Sequence, residues 1–164
     1  MDEELAKKRH RRNVIINSIL LAIVIILIAV ILINEYVLSA MRVVGDSMNP
    51  TLEDKQIVMV HRTKNVKKGD IIVFEHGDKL IVKRLIATSG DNVRIDFEGN
   101  VYLNDELLND EYILNGEHNS GDFPVQYDIG EGMYFVLGDN RCNSNDSQDY
   151  GPIKGDTIIG KIIK

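Results

Sequence analysis

The chain has 164 residues, a formal net charge of -6 and one cysteine, Cys142. That length allows one domain plus an appendage. A single thiol excludes a disulfide framework and a thiolate-rich metal site. The acidic balance, with no broad basic stripe, gives no nucleic-acid footprint.

Residues 1–12 include the run KKRHRR, Lys7 to Arg12, and read as a basic cytoplasmic tail. Residues 14–33, VIINSILLAIVIILIAVILI, contain no charge, and only Asn17 and Ser18 are polar. A helix of that length spans roughly 30 Å, the hydrocarbon thickness of a bilayer. Positive charge stays on the cytoplasmic side, so the N-terminus is expected inside and the chain after Ile33 outside. A cleaved signal peptide competes, because Val37 and Ser39 stand at cleavage spacing. The apolar region of such a peptide runs to only about 7–15 residues, which favours a retained single-pass anchor in the cell membrane. Residues 34–40 then form a connector, and 41–164 an extracytoplasmic domain.

That domain reads as β. The segments 56–61, 70–75, 80–86, 92–96, 100–104, 133–138 and 156–163 are rich in β-branched residues and separated by Gly, Asp, Asn and Lys clusters. No stretch after residue 41 has a long amphipathic helical period. The segment 109–128 is polar and irregular, and reads as a loop or cap. The predicted class is mainly β: an N-terminal transmembrane helix followed by a compact antiparallel, barrel-like or folded sheet.

Three segments carry chemistry. GDSMNPTL (45–52) places Ser47 among turn formers, where a bland turn residue and a nucleophile look alike. LIVKRLI (80–86) places Lys83 and Arg84 in a strand with no polar face. Both could snorkel, keeping their charged heads wet. If one is desolvated, a buried lysine loses its proton more readily and becomes a candidate general base, whereas arginine stays charged. A neutral amine can take the proton of a serine hydroxyl. The loop 137–153, LGDNRCNSNDSQDYGPI, is dense in polar residues. It fails the calcium-loop pattern, with Ser144 at the glycine position and Tyr150 at the glutamate position. It reads as a solvated loop or as a shell of Arg141, Ser144 and Asp146 around a catalytic pair.

These segments, in this order behind the anchor, resemble those of the bacterial type I signal peptidases, membrane-bound Ser-Lys proteases. GDSMNPTL resembles the nucleophile box, KKGDIIVF (67–74) a structural strand, IVKRLIATSGD (81–91) the base box and GDNRCNSNDSQDYG (138–151) the last box. The resemblance implies a β-rich fold with its site near the membrane surface. It implies removal of signal peptides from exported preproteins, in company with the translocation machinery, by cleavage after Ala-X-Ala. It makes Ser47 the nucleophile and Lys83 the base. It assigns Ser144 to a hydrogen bond with the lysine, and Asp139, Arg141 and Asp146 to the polar support of the loop, with Arg84 structural. It assigns Met41, Val43, Val44, Met48, Leu52, Val58, Ile72, Ile81 and Val82 to the substrate pockets. No cofactor or metal is implied.

The sequence departs from the family pattern in three places. Gly45 stands where some members carry an oxyanion-hole serine. Gln148 replaces a common arginine, so Asp146 is expected to lean on Arg84 or Arg141. ATSGD replaces LPGD at the end of the base box. The segment 97–130 leaves room only for a reduced cap, as in short Gram-positive forms. Competing readings are another Ser-Lys peptidase, a non-enzymatic β domain, and a triad using His61, His76 or His118.

Overall fold

The computed structural model describes residues 2–36, 38–109 and 124–163. The chain divides into two units, Met1–Leu38 and Ser39–Lys164. The first is a single helix, α1, Asp2–Tyr36. Its segment Lys7–Ile33 is long and apolar enough to cross a membrane. The side chains from Val14 to Ile33 are all exposed. A helix apolar on every side has to bury that surface in lipid or in a core, and within its own unit no core covers it.

The second unit is two antiparallel sheets. The larger has seven strands: β1 (Leu38–Arg42), β2 (Ile57–His61), β3 (Ile71–His76), β4 (Lys79–Ala87), β9 (Met133–Leu137), β10 (Ile153–Lys154) and β11 (Ile158–Ile163). Their spatial order is β1-β2-β11-β3-β4-β9-β10. The smaller sheet has four: β5 (Asn92–Ile95), β6 (Val101–Leu103), β7 (Glu106–Leu107) and β8 (Val125–Asp128), in the order β7-β6-β5-β8. Residues Ser147–Tyr150 form one short helix, α2.

Side-chain alternation distributes the core over both faces of the central strands. Ile71 and Val73 of β3 pack with Val43, Met48, Leu52, Val58 and Val60. Ile72 and Phe74 pack on the other side with Leu85, Val136, Ile153 and Ile158. A third cluster joins Ile86, Phe135 and Leu137 of the large sheet to Val93, Ile95 and Val101 of the small one. Each such side chain, fully buried, contributes about 1.5–3 kcal/mol.

One detail of register positions the site. The β3–β4 hairpin pairs six residues, from Ile71 opposite Arg84 to His76 opposite Lys79. On its other edge, β4 pairs with β9 only from Arg84 onward. Residues 80–83 therefore keep one unpaired edge among the described residues.

Three sequence expectations change here. Residues 125–128, expected in a loop, form β8 and pair with all of β5. Within 97–130, β6, β7 and β8 complete the second sheet rather than decorate the first. The last strand begins at Ile158, because residues Gly155–Thr157 turn as a 3-10 helix. Residues 110–123, with most of the expected irregular segment and His118, lie outside the described residues.

Candidate active site

The turn carrying Ser47 is held from below and from both sides. Met48 and Leu52 are buried in the core and anchor it like pegs. Val43 N–H donates to the Gln56 carbonyl and Lys55 N–H to the Val43 carbonyl, each at 2.9 Å. Gly45 adopts φ +87°, a left-handed conformation that glycine takes without penalty. Its N–H donates to Asp54 Oδ1 at 2.9 Å. Ser47 is left part-exposed, and its own N–H has no acceptor among the described residues.

The loop after β9 closes over this turn. Asn140 N–H donates to the Ser47 carbonyl at 3.0 Å, and Asn140 Nδ2 to the Asp46 carbonyl at 3.1 Å. The approach requires Gly138. A Cβ there would overlap the Ser144 hydroxyl and come within 2.5 Å of the Ser47 carbonyl oxygen.

Lys83 and Arg84 do not snorkel. They are 3% and 5% exposed. Burial lowers the Lys83 pKa below its ordinary 10.5; the charges of Asp146, Asp149 and Asp139 oppose that shift without cancelling it. Arg84 has a dedicated partner. Its Nε and Nη2 donate to the two carboxylate oxygens of Asp139 at 2.7 and 2.5 Å. Its Nη1 donates to the Gly69 carbonyl at 2.9 Å.

Asp146 does not lean on Arg84 or Arg141, contrary to expectation. Its carboxylate accepts from Gly138 N–H at 2.9 Å, from Ser144 Oγ at 2.6 Å and from Gln148 N–H at 3.1 Å. It is the N-cap of α2, with Asp149 completing a capping box. Gln148, found in place of arginine, thus serves Asp146 through its backbone. Burial raises the Asp146 pKa, and those donors together with Lys83 pull it back. Arg141 is buried and donates from Nε to the Gly138 carbonyl at 3.0 Å. Ser144 spends its proton on Asp146, and no hydrogen bond joins it to Lys83.

Ser47 and Lys83 line one cleft of about 630 Å³. Residues 41–47 and 80–83 line it, together with Val58, Val73, Asn143 and Asn145. Of the expected pocket residues, Met41, Val43, Val44, Val58, Ile81 and Val82 line it. Met48, Leu52 and Ile72 do not: their side chains are buried in the core, away from the lining. Sequence reasoning missed Arg42, Asp46, Val73, Leu80, Asn143 and Asn145. Val73 was legible only from register, since it pairs with Val82. No hydrogen bond joins Ser47 to Lys83, although both reach the same space. His61 and His76 line no part of the cleft. Among the described residues, no His, Cys, Asp or Glu group is placed to hold a metal.

A family model described as signal peptidase, peptidase S26, matches residues 16–163. The chain belongs to that family. It is 33% identical over 137 residues to signal peptidase I V of Bacillus subtilis, a match covering 74% of this chain and 81% of that protein. It is 32% identical over 152 residues to signal peptidase IB of Staphylococcus aureus, covering 80% and 78%. Among solved structures it resembles a signal peptidase I of Enterococcus faecalis, with TM-score 0.52 and 28% identity over 61% of this chain and 97% of that one. Signal peptidase membership fits a mainly β domain behind an apolar N-terminal helix.

Proposed function

We propose that this signal peptidase is a serine endopeptidase in which Ser47 attacks and Lys83 is the base. The observation that carries the reading is one cleft holding both a part-exposed serine on a clamped turn and a lysine stripped of water. Free lysine is neutral in less than about one molecule in a thousand at pH 7. Burial raises that fraction at Lys83. The neutral amine takes the Ser47 proton as Oγ bonds to the scissile carbonyl carbon. The ammonium then returns that proton to the departing amine, leaving an ester on Ser47. Water, deprotonated by the same amine, releases the acid. The Ser47 N–H, having no internal acceptor, faces the developing oxyanion; the Gly45 N–H is committed to Asp54.

The substrate enters as an extended strand. Residues 80–83 offer an unpaired edge, and a peptide laid there gains backbone hydrogen bonds. Five valines, Leu80 and Ile81 crowd the groove, so small side chains fit before the cut, giving the Ala-X-Ala preference for signal peptides of exported preproteins. α1 anchors the enzyme in the cell membrane with its basic end cytoplasmic and the β domain extracytoplasmic, beside the translocation machinery.

The test is cleavage of a preprotein by the full chain in detergent, with the product mapped by mass spectrometry. Ser47→Ala and Lys83→Ala are each expected to lose at least about a thousandfold in rate. Retained activity in either variant, or loss on His61→Ala alone, would sink the dyad.

A further inference from the structure

The cleft is asymmetric along its length. Two runs of the chain line it, Met41–Ser47 and Leu80–Lys83, and each ends in sequence at one of the two reacting residues. At the Met41 and Leu80 end the lining is largely apolar. Beside Ser47 it turns polar, with Asp46 and with Asn143 and Asn145 of the loop whose Asn140 bonds the Ser47 and Asp46 carbonyls. If Ser47 marks the scissile bond, the residues before it occupy the apolar end. The residues after it, the start of the mature chain, leave over the polar end.

Asp46 stands out there. It is exposed, adjoins the nucleophile, and its backbone is fixed through the Asp46 carbonyl to Asn140 Nδ2. Its carboxylate has no hydrogen-bond or ion-pair partner among the described residues. Nearby Asp54 is already engaged with the Gly45 N–H and with Lys55 at 3.5 Å. The exposed Arg42 in the same run lies four positions away, toward the apolar end. The end of the cleft next to the reacting bond therefore presents one uncompensated exposed negative charge.

We propose that Asp46 is a specificity-determining residue for the leaving side, favouring basic and disfavouring acidic residues just after the scissile bond. This rests on the assignment of Ser47 as nucleophile. An exposed pair at contact range is weak, so the discrimination is modest: about fivefold in kcat/KM between lysine and aspartate at the first two positions after the cut. It shrinks as salt screens the charge.

The test uses the full chain in detergent and three synthetic peptides. They share one Ala-X-Ala segment and carry Asp, Gln or Lys after the cut. The ratio of kcat/KM for the Lys and Asp peptides is read within each protein, so a general loss of activity divides out. Native protein should give the preference at low salt, Asp46→Asn a ratio near one, and Asp46→Lys the inverse preference. Cleavage of all three peptides with the same ratio in native protein and both variants overturns the proposal and leaves the nucleophile standing. Failure of native protein to cut any of them overturns the underlying reading as well.

Discussion

Asp139→Asn tests the frame that holds the two strands of the site together. Asp139 follows Gly138, and Arg84 follows Lys83, so their pairing ties the loop over Ser47 to the strand bearing the amine. The side chains are 6% and 1% exposed, so solvent screening scarcely weakens the pair. Replacing the carboxylate by an amide leaves a buried guanidinium facing one acceptor and one donor instead of two charged acceptors. Breaking such a pair from one side costs about 3–5 kcal/mol, a large fraction of a typical domain's 5–15 kcal/mol. Removing both partners, with Arg84→Met and Asp139→Leu, should cost much less. The remaining loss includes the bond to the Gly69 carbonyl, about 1–1.5 kcal/mol, and the longer one to Thr51 Oγ1. The assay is denaturant unfolding of the full chain in micelles, followed by fluorescence of the six tyrosines, since the chain has no tryptophan. A double-mutant cycle should return a coupling energy of at least about 2 kcal/mol, unchanged by added salt. An Asp139→Asn cost below about 1 kcal/mol, or additive single changes, would refute the argument.

Lys83→Met should abolish cleavage yet leave the melting temperature equal or higher, because burial works against the ammonium; a clear drop in thermal melts would contradict this. With Lys83 as the proposed base, the rate should rise with pH through a titration below the ordinary lysine value of 10.5. Asp146→Asn removes a charge that raises the Lys83 pKa, so the rising limb should move to lower pH in the rate profile. Gly138→Ala forces the loop off Ser144 and the Ser47 carbonyl. It should lower kcat about a hundredfold, since misplacement by 1 Å can cost that much. Gly77→Ala meets nothing within 4 Å but sits at φ +60°, and should cost stability while sparing kcat.

Much of this was legible in the sequence, for identifiable reasons. The unbroken apolar run dictated α1, and β-branched clusters between turn formers marked most of the long strands. Short strands escaped notice. β10 is two residues long, and β8 lies in a polar sequence where pairing with β5 overrides weak propensity. Lys83 could be singled out because a cation in a two-faced apolar strand is anomalous. Its burial was not, since snorkelling gives the same sequence. The partner of Asp139 was invisible because the bond spans 55 positions. Ile72 was named for the cleft where Val73 lines it: neighbouring strand residues face opposite sides, and only register tells which is which.

The placement of the amine explains why so much of the loop is acidic. A lysine buried without nearby charge would be neutral, but charging it would cost more. Three carboxylates act on Lys83, and none is a direct hydrogen-bonded partner. Asp139 is bound by Arg84, and Asp146 by Gly138 N–H, Ser144 and Gln148 N–H. Asp149 is committed to the capping box of α2. Each carboxylate is held by other donors, so none can collapse onto the lysine and quench it as a salt bridge. Their charges still favour the ammonium form of Lys83, the form that the proposed proton transfer from Ser47 would create. Desolvation keeps the resting amine neutral, and in the proposed mechanism the fixed acids would lower the cost of its charged state during the reaction.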